Sequence, residues 1–88
     1  MLVEKVVIQN KLGMHARSAA MFVELASHFQ SDILIKRDEV EVNGKSIMGI
    51  MMLAAAKGTE LMLQVSGPDE AEAMERLTCL VNDKFGED

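Results

Sequence analysis

Between Glu60 and Ser66 the chain alternates without a break: Leu61, Leu63 and Val65 fall on one side of an extended backbone, and Glu60, Met62, Gln64 and Ser66 on the other. A period of two marks a half-buried strand, so this segment demands a sheet with one packed face and one wet face. The packed face then needs a second layer to cover it.

The rest of the chain supplies both layers. Leu2 to Ile8 is rich in Val and Ile and reads as a strand, ending at the polar "QNKLG" loop. From Ala16 to Phe29 the apolar residues Ala19, Phe22, Val23 and Ala26 recur at helical spacing. Asp32–Arg37 and Glu39–Val42 read as a hairpin joined at Arg37-Asp38 and closed by Asn43-Gly44. The segment "KSIMGIMMLAAAKGT" fits a short helix with Ser46 as N-cap and Gly58 at its tail, weakened by Gly49. After "GPD", acids Asp69, Glu70 and Glu72 open a last helix whose buried stripe is Met74, Leu77, Val81 and Phe85, with Lys84 at the far end. The order β-α-β-β-α-β-α predicts one domain over residues 1–88, an α+β two-layer sandwich of helices on a mainly antiparallel sheet.

Composition narrows the function. Almost half of the 88 residues are hydrophobic but only three are aromatic, so the core is aliphatic, with some of the eight Met filling it. A net charge of -5 without aromatic platforms argues against nucleic-acid binding. Yet from Lys5 to Gln30 the only acid is Glu24, against Lys5, Lys11 and Arg17, so the stretch around His15 is locally cationic. The lone Cys79 cannot pair internally and is expected as a small buried residue of a reducing cytoplasm. With no leader pattern and no apolar run of spanning length, a soluble cytoplasmic protein is expected, not inserted in a membrane. His28 is expected at the end of the first long helix as a surface residue, and two lone histidines make no metal site.

Chemistry concentrates in "LGMHARSAA". If the helix starts near Ala16, the backbone N–H groups of Ala16, Arg17 and Ser18 lack intrahelical partners and favour an anion beside His15. Imidazole is nucleophilic and largely neutral near pH 7, so His15 can accept a phosphoryl group and release it again. Arg17 would add a five-donor cation, and Gly13 would allow close backbone approach. The plain alternative is a polar boundary histidine beside a solvated arginine.

"GMHARSAA" together with "KSIMGIMMLAAAKGT" and the element order closely resembles the HPr family, the histidine-containing phosphocarriers of the bacterial phosphoenolpyruvate-dependent phosphotransferase system. The resemblance implies an open-faced sandwich with strand order 1-4-2-3 and three helices on one face. It implies that His15 is phosphorylated on Nδ1 by enzyme I and passes the group to an EIIA-type acceptor for sugar uptake, with Arg17 binding the phosphoryl group and stabilising transition-state charge. No cofactor or metal enters this scheme, the protein is a carrier and not an autonomous enzyme, and a monomer is expected. "KSIMG" resembles the site of a regulatory serine kinase and phosphorylase, which implies regulatory phosphorylation of Ser46, beside its ordinary reading as an N-cap. Met48, Met51 and Met52 fit an adaptable docking patch, while Ile47, Ile50 and Leu53 are expected in the core. One departure stands out: the family usually has proline where this chain has Ser18. Serine is expected to add an N–H and a hydroxyl toward phosphate while loosening the helix entry. A regulatory HPr-like module, in nitrogen-related or carbon-catabolite control, uses the same His15 and is the alternative function.

Overall fold

A computed structural model describes residues 1–87. In chain order it contains β1 (Leu2–Val7), α1 (Ala16–Ala26), β2 (Asp32–Arg37), β3 (Val40–Asn43), α2 (Ile47–Met52), β4 (Glu60–Ser66), α3 (Glu70–Asn82) and a short 3₁₀ turn, Lys84–Gly86. The strands form one antiparallel sheet in the order β1-β4-β2-β3 with three α-helices, as expected.

Register explains why the alternation in β4 is so clean. Leu61 lies opposite Val6, Leu63 opposite Ile35 and Val65 opposite Ile33, and all six are buried, so three cross-strand pairs pave the covered face. A slip by one residue would turn this set toward water. Over these pairs lie Ala19, Phe22 and Ala26 of α1, Ile50 of α2, and Ala73, Met74, Leu77 and Val81 of α3. All three aromatics, Phe22, Phe29 and Phe85, are buried. Truncating a buried Phe such as Phe22 to Ala costs about 3–5 kcal/mol.

Several boundaries differ from expectation, and long-range ties account for most of them. Helix α1 ends at Ala26, not Phe29: the N–H groups of His28 and Phe29 bond back only three residues, to Leu25 and Ala26. Lys45 Nζ then donates to the Phe29 carbonyl at 2.8 Å, closing the turn, and His28 is exposed just beyond the helix. The hairpin turn is Asp38-Glu39 with Asp38 at φ +54°, which shifts β3 by one residue to Val40–Asn43.

Helix α2 stops at Met52, well before Gly58, because Arg37 binds the carbonyls of Leu53 and Ala54 at 2.7 and 2.8 Å and Ala54 turns left-handed. Gly58 instead extends the β1–β4 ladder, its N–H bonding the Ile8 carbonyl at 2.7 Å. Two burial expectations are corrected. Ile47 is 41 % exposed, since it lies in the first turn of a helix that buries mainly Ile50. Cys79 is exposed, since it stands two residues, about 200° of helical rotation, from the buried Leu77. Lys84 lies past the end of α3.

Candidate functional site

His15 is the N-cap of α1, with an extended backbone (φ -106°, ψ -175°) that ends the loop and lets the helix begin at Ala16. The first intrahelical bond runs from the Ala19 N–H to the His15 carbonyl at 2.8 Å, so the N–H groups of Ala16, Arg17 and Ser18 precede the helical ladder. One of them is already used: Arg17 N–H donates to His15 Nδ1 at 3.2 Å. A backbone N–H can only donate, so Nδ1 carries a lone pair and the ring proton sits on Nε2. That proton points at the Glu87 carboxylate, 2.9 Å away.

The ring is therefore held from both sides in one tautomer, and its unprotonated nitrogen faces the helix start. Glu87 also accepts from Asn10 Nδ2 at 2.9 Å, while Asn10 Nδ2 donates to the Gly13 carbonyl at 2.7 Å. The hydrogen bond from His15 is the largest cause holding the Glu87 carboxyl below the usual glutamate range, with Asn10 and the Leu12 N–H adding to it against partial burial.

The loop before His15 is fixed by the segment after α2. Met14 N–H donates to the Ala55 carbonyl at 2.7 Å, and Gly13 sits at φ +69° so close that a Cβ would lie 2.7 Å from the Ala55 oxygen and 2.9 Å from Ala56 Cα. Gly13 thus serves a backbone-to-backbone approach, not an approach to an anion. It also explains in physical terms why the two sequence motifs belong together: each supplies one side of the same contact.

Ser18 departs from expectation. Its side chain is 1 % exposed and its hydroxyl is turned inward, accepting from the His15 N–H at 2.9 Å and donating to the Gly13 carbonyl at 3.0 Å. The hydroxyl is not presented to a ligand but ties the helix entry to the loop before it. Of the two donors expected here, only the backbone N–H remains.

Arg17 is exposed and, among the described residues, forms no ion pair. With Lys11 it lines an open cleft of about 420 Å³ that Leu12, Ser18, Met21, Phe85, Gly86 and Glu87 complete. An exposed guanidinium two residues from His15 is open to an anion arriving from solvent. No group of three or more His, Cys, Asp or Glu side chains among the described residues is placed to hold a metal ion.

Ser46 caps α2, its hydroxyl accepting from the Gly49 N–H at 3.1 Å. Met48 and Met52 are 78 % and 74 % exposed, and Met51 is also exposed, so with Ile47 they give α2 an apolar outer face next to α1.

The family described as "PTS HPr component phosphorylation site" matches residues 2–83. The chain belongs to the HPr family. It is 54 % identical over 87 residues to phosphocarrier protein HPr of Neisseria meningitidis serogroup A, covering 99 % of this chain and 98 % of that one. It is 45 % identical over 84 residues to the HPr-like protein Crh of Bacillus subtilis, covering 96 % and 99 %. The crystal structure of an HPr from Thermoanaerobacter tengcongensis superposes with a TM-score of 0.96 at 46 % identity, covering 100 % and 99 % of the two chains. Membership makes the chain a phosphocarrier-type component of a phosphotransferase system and not an autonomous enzyme.

Glu87 and Asn10 were not identified from sequence. Nothing in local spacing links residue 87 to residue 15.

Proposed function

We propose that this chain, acting as one domain in the cytoplasm and as a monomer, takes a phosphoryl group from enzyme I onto His15 Nδ1 and passes it to an EIIA-type acceptor. The observation that carries this reading is the 3.2 Å contact from Arg17 N–H to a lone-pair-bearing Nδ1 at the start of an 11-residue helix. In the forward step the Nδ1 lone pair forms a bond to phosphorus while the donor's N–P bond breaks, its electron pair remaining on the donor ring. Arg17 N–H shifts from Nδ1 to a phosphoryl oxygen, the Ala16 and Ser18 N–H groups offer further donors, and the Arg17 guanidinium spreads the negative charge of a loose transition state. Met48, Met51 and Met52 form the adaptable surface that successive partners cover.

The test is incubation with phosphoenolpyruvate and enzyme I, followed by mass spectrometry with and without acid. Wild type should gain one acid-labile phosphoryl group and His15→Ala none; an acid-stable adduct, or one retained by the variant, would reject the site. Sedimentation would reveal any dimer, a form that other members adopt: one solved HPr and two structures of Bacillus subtilis Crh are described as dimers.

A regulatory reading gains support from the similarity to Crh, described as a catabolite repression HPr. On this reading phosphorylation of Ser46 by a serine kinase places charge at the start of α2, beside the methionine face, and weakens docking of enzyme I. Ser46→Asp should raise the KM for phospho-enzyme I with the fold intact; an unaltered KM would remove the support.

A further inference from the structure

The chain's last described residues are shaped to return to the site. After α3 the backbone passes through Lys84, Phe85 and Gly86 at φ +57°, +54° and +75°, two of them non-glycine residues in a region such residues seldom occupy. Phe85 is buried and pins the turn. The bend delivers Glu87 into the loop before α1, where its carboxylate meets Asn10 Nδ2 and His15 Nε2, each at 2.9 Å. Lys11 and Arg17 line the adjoining cleft and bias this corner toward a carboxylate.

We propose that Glu87 is a positioning residue for phosphoryl transfer at His15: its carboxylate holds the Nε2 proton, keeps the Nδ1 lone pair facing the helix start, and offsets the positive charge the ring gains on phosphorylation. The proposal rests on the carrier reading above. When Nδ1 gives its lone pair to phosphorus, the ring keeps its Nε2 proton and becomes a phosphoimidazolium. No proton has to leave the protein, and the new charge lies one hydrogen bond from an anion. The same logic lets a buried carboxylate orient and stabilise the imidazole of a hydrolase triad. When the acceptor attacks phosphorus, the Nδ1–P bond breaks, the electron pair returns to Nδ1, and the neutral tautomer is restored with Glu87 still in place. The depressed pKa of Glu87, caused first by the His15 bond, agrees with a carboxylate that is ionised throughout.

The experiment uses the full chain with ¹⁵N-labelled histidine, at a pH that leaves the ring neutral, together with stopped transfer assays from phospho-enzyme I. Wild type should show a protected His15 Nε2–H proton resonance and an unprotonated Nδ1. Glu87→Ala should lose that resonance, and its maximal transfer rate should fall roughly 3- to 10-fold, less than a fully misplaced reacting group would cause, with KM nearly unchanged. Glu87→Gln keeps an acceptor oxygen and should restore the resonance but only part of the rate. Backbone amide shifts in the sheet report folding of both variants. A Glu87→Ala protein with wild-type resonance and rate would overturn the proposal, as would Glu87→Gln behaving like Glu87→Ala in both readouts. If wild type accepts no phosphoryl group at all, the carrier reading fails, and the resonance alone decides whether Glu87 holds the ring.

Discussion

Two helix starts in this protein are tied by a carboxylate to a distant part of the chain, and the ties serve different ends. At α3 the N-cap Asp69 makes no cap bond to its own helix. Its oxygens accept instead from the Gln30 N–H at 2.9 Å, the Ser31 N–H at 3.0 Å and the Ser31 hydroxyl, which joins α3 to the entry of β2. At α1 the carboxylate comes from Glu87 and ends on a ring. The donors around Asp69 engage both of its oxygens, and two of the three are backbone N–H groups, so the carboxylate is committed to a joint within the fold. His15 Nε2 is tied to a side chain, while Nδ1 accepts only the Arg17 N–H at 3.2 Å, and the Arg17 side chain forms no ion pair among the described residues. A helix start becomes a structural joint or a chemical site according to whether its polar groups are used up.

The sharpest test of that contrast is a double dissociation. His15→Ala should abolish acid-labile phosphorylation and, through the lost cap on α1, lower Tm by less than Asp69→Ala does. Asp69→Ala should lower Tm by several degrees, because three donors at the β2 entry lose their acceptor, while the folded fraction still carries phosphate. Calorimetry and phosphate counting on both variants would measure this, and equal Tm losses would erase the distinction.

A smaller effect is expected inside the α1 entry. Ser18→Ala removes the inward hydroxyl and should cost about 1 kcal/mol in urea unfolding, the usual size of a lost cap or hydrogen bond. Because that hydroxyl faces away from the ligand side, the transfer rate should change little. A large rate loss at unchanged stability would restore the hydroxyl to the phosphate site.

The smallest effect expected is a pH dependence. Asp69 is held below the usual carboxylate range, first by the Ser31 hydroxyl and then by the Gln30 N–H, and Glu87 is depressed chiefly by His15. For a depressed carboxylate the stabilisation is fully present above its unfolded pKa and is lost as pH falls through the lower folded value. Tm should therefore decline below about pH 4, more gently in Asp69→Ala than in wild type. Identical slopes in the two proteins would show that Asp69 contributes nothing to acid stability.

The sheet and the helix faces were legible because they follow from local periodicity. Leu61, Leu63 and Val65 announce a half-buried strand whatever lies opposite them, and the resemblance carried by the two motifs supplied the strand order. The place of His15 and Arg17 at a helix start was legible for the same reason, since a helix start is a local feature. Element ends were read less well. Lys45 on Phe29, Arg37 on Leu53 and Ala54, and Asp69 on Ser31 decide where α1 and α2 stop and how α3 begins, and each pairs residues 16 to 38 positions apart.

By itself the sequence determined a two-layer α+β domain with a nucleophilic ring at a helix start, since hydrophobic period, capping and side-chain chemistry are properties of short segments. Only the tertiary structure decided that Gly13 makes room for Ala55, that the Ser18 hydroxyl looks inward, and that Glu87 reaches back to Nε2. Those contacts join segments separated by up to 72 residues. Such distances are closed by the packing of the whole core, and no local pattern encodes which polar group the core will bring to which partner.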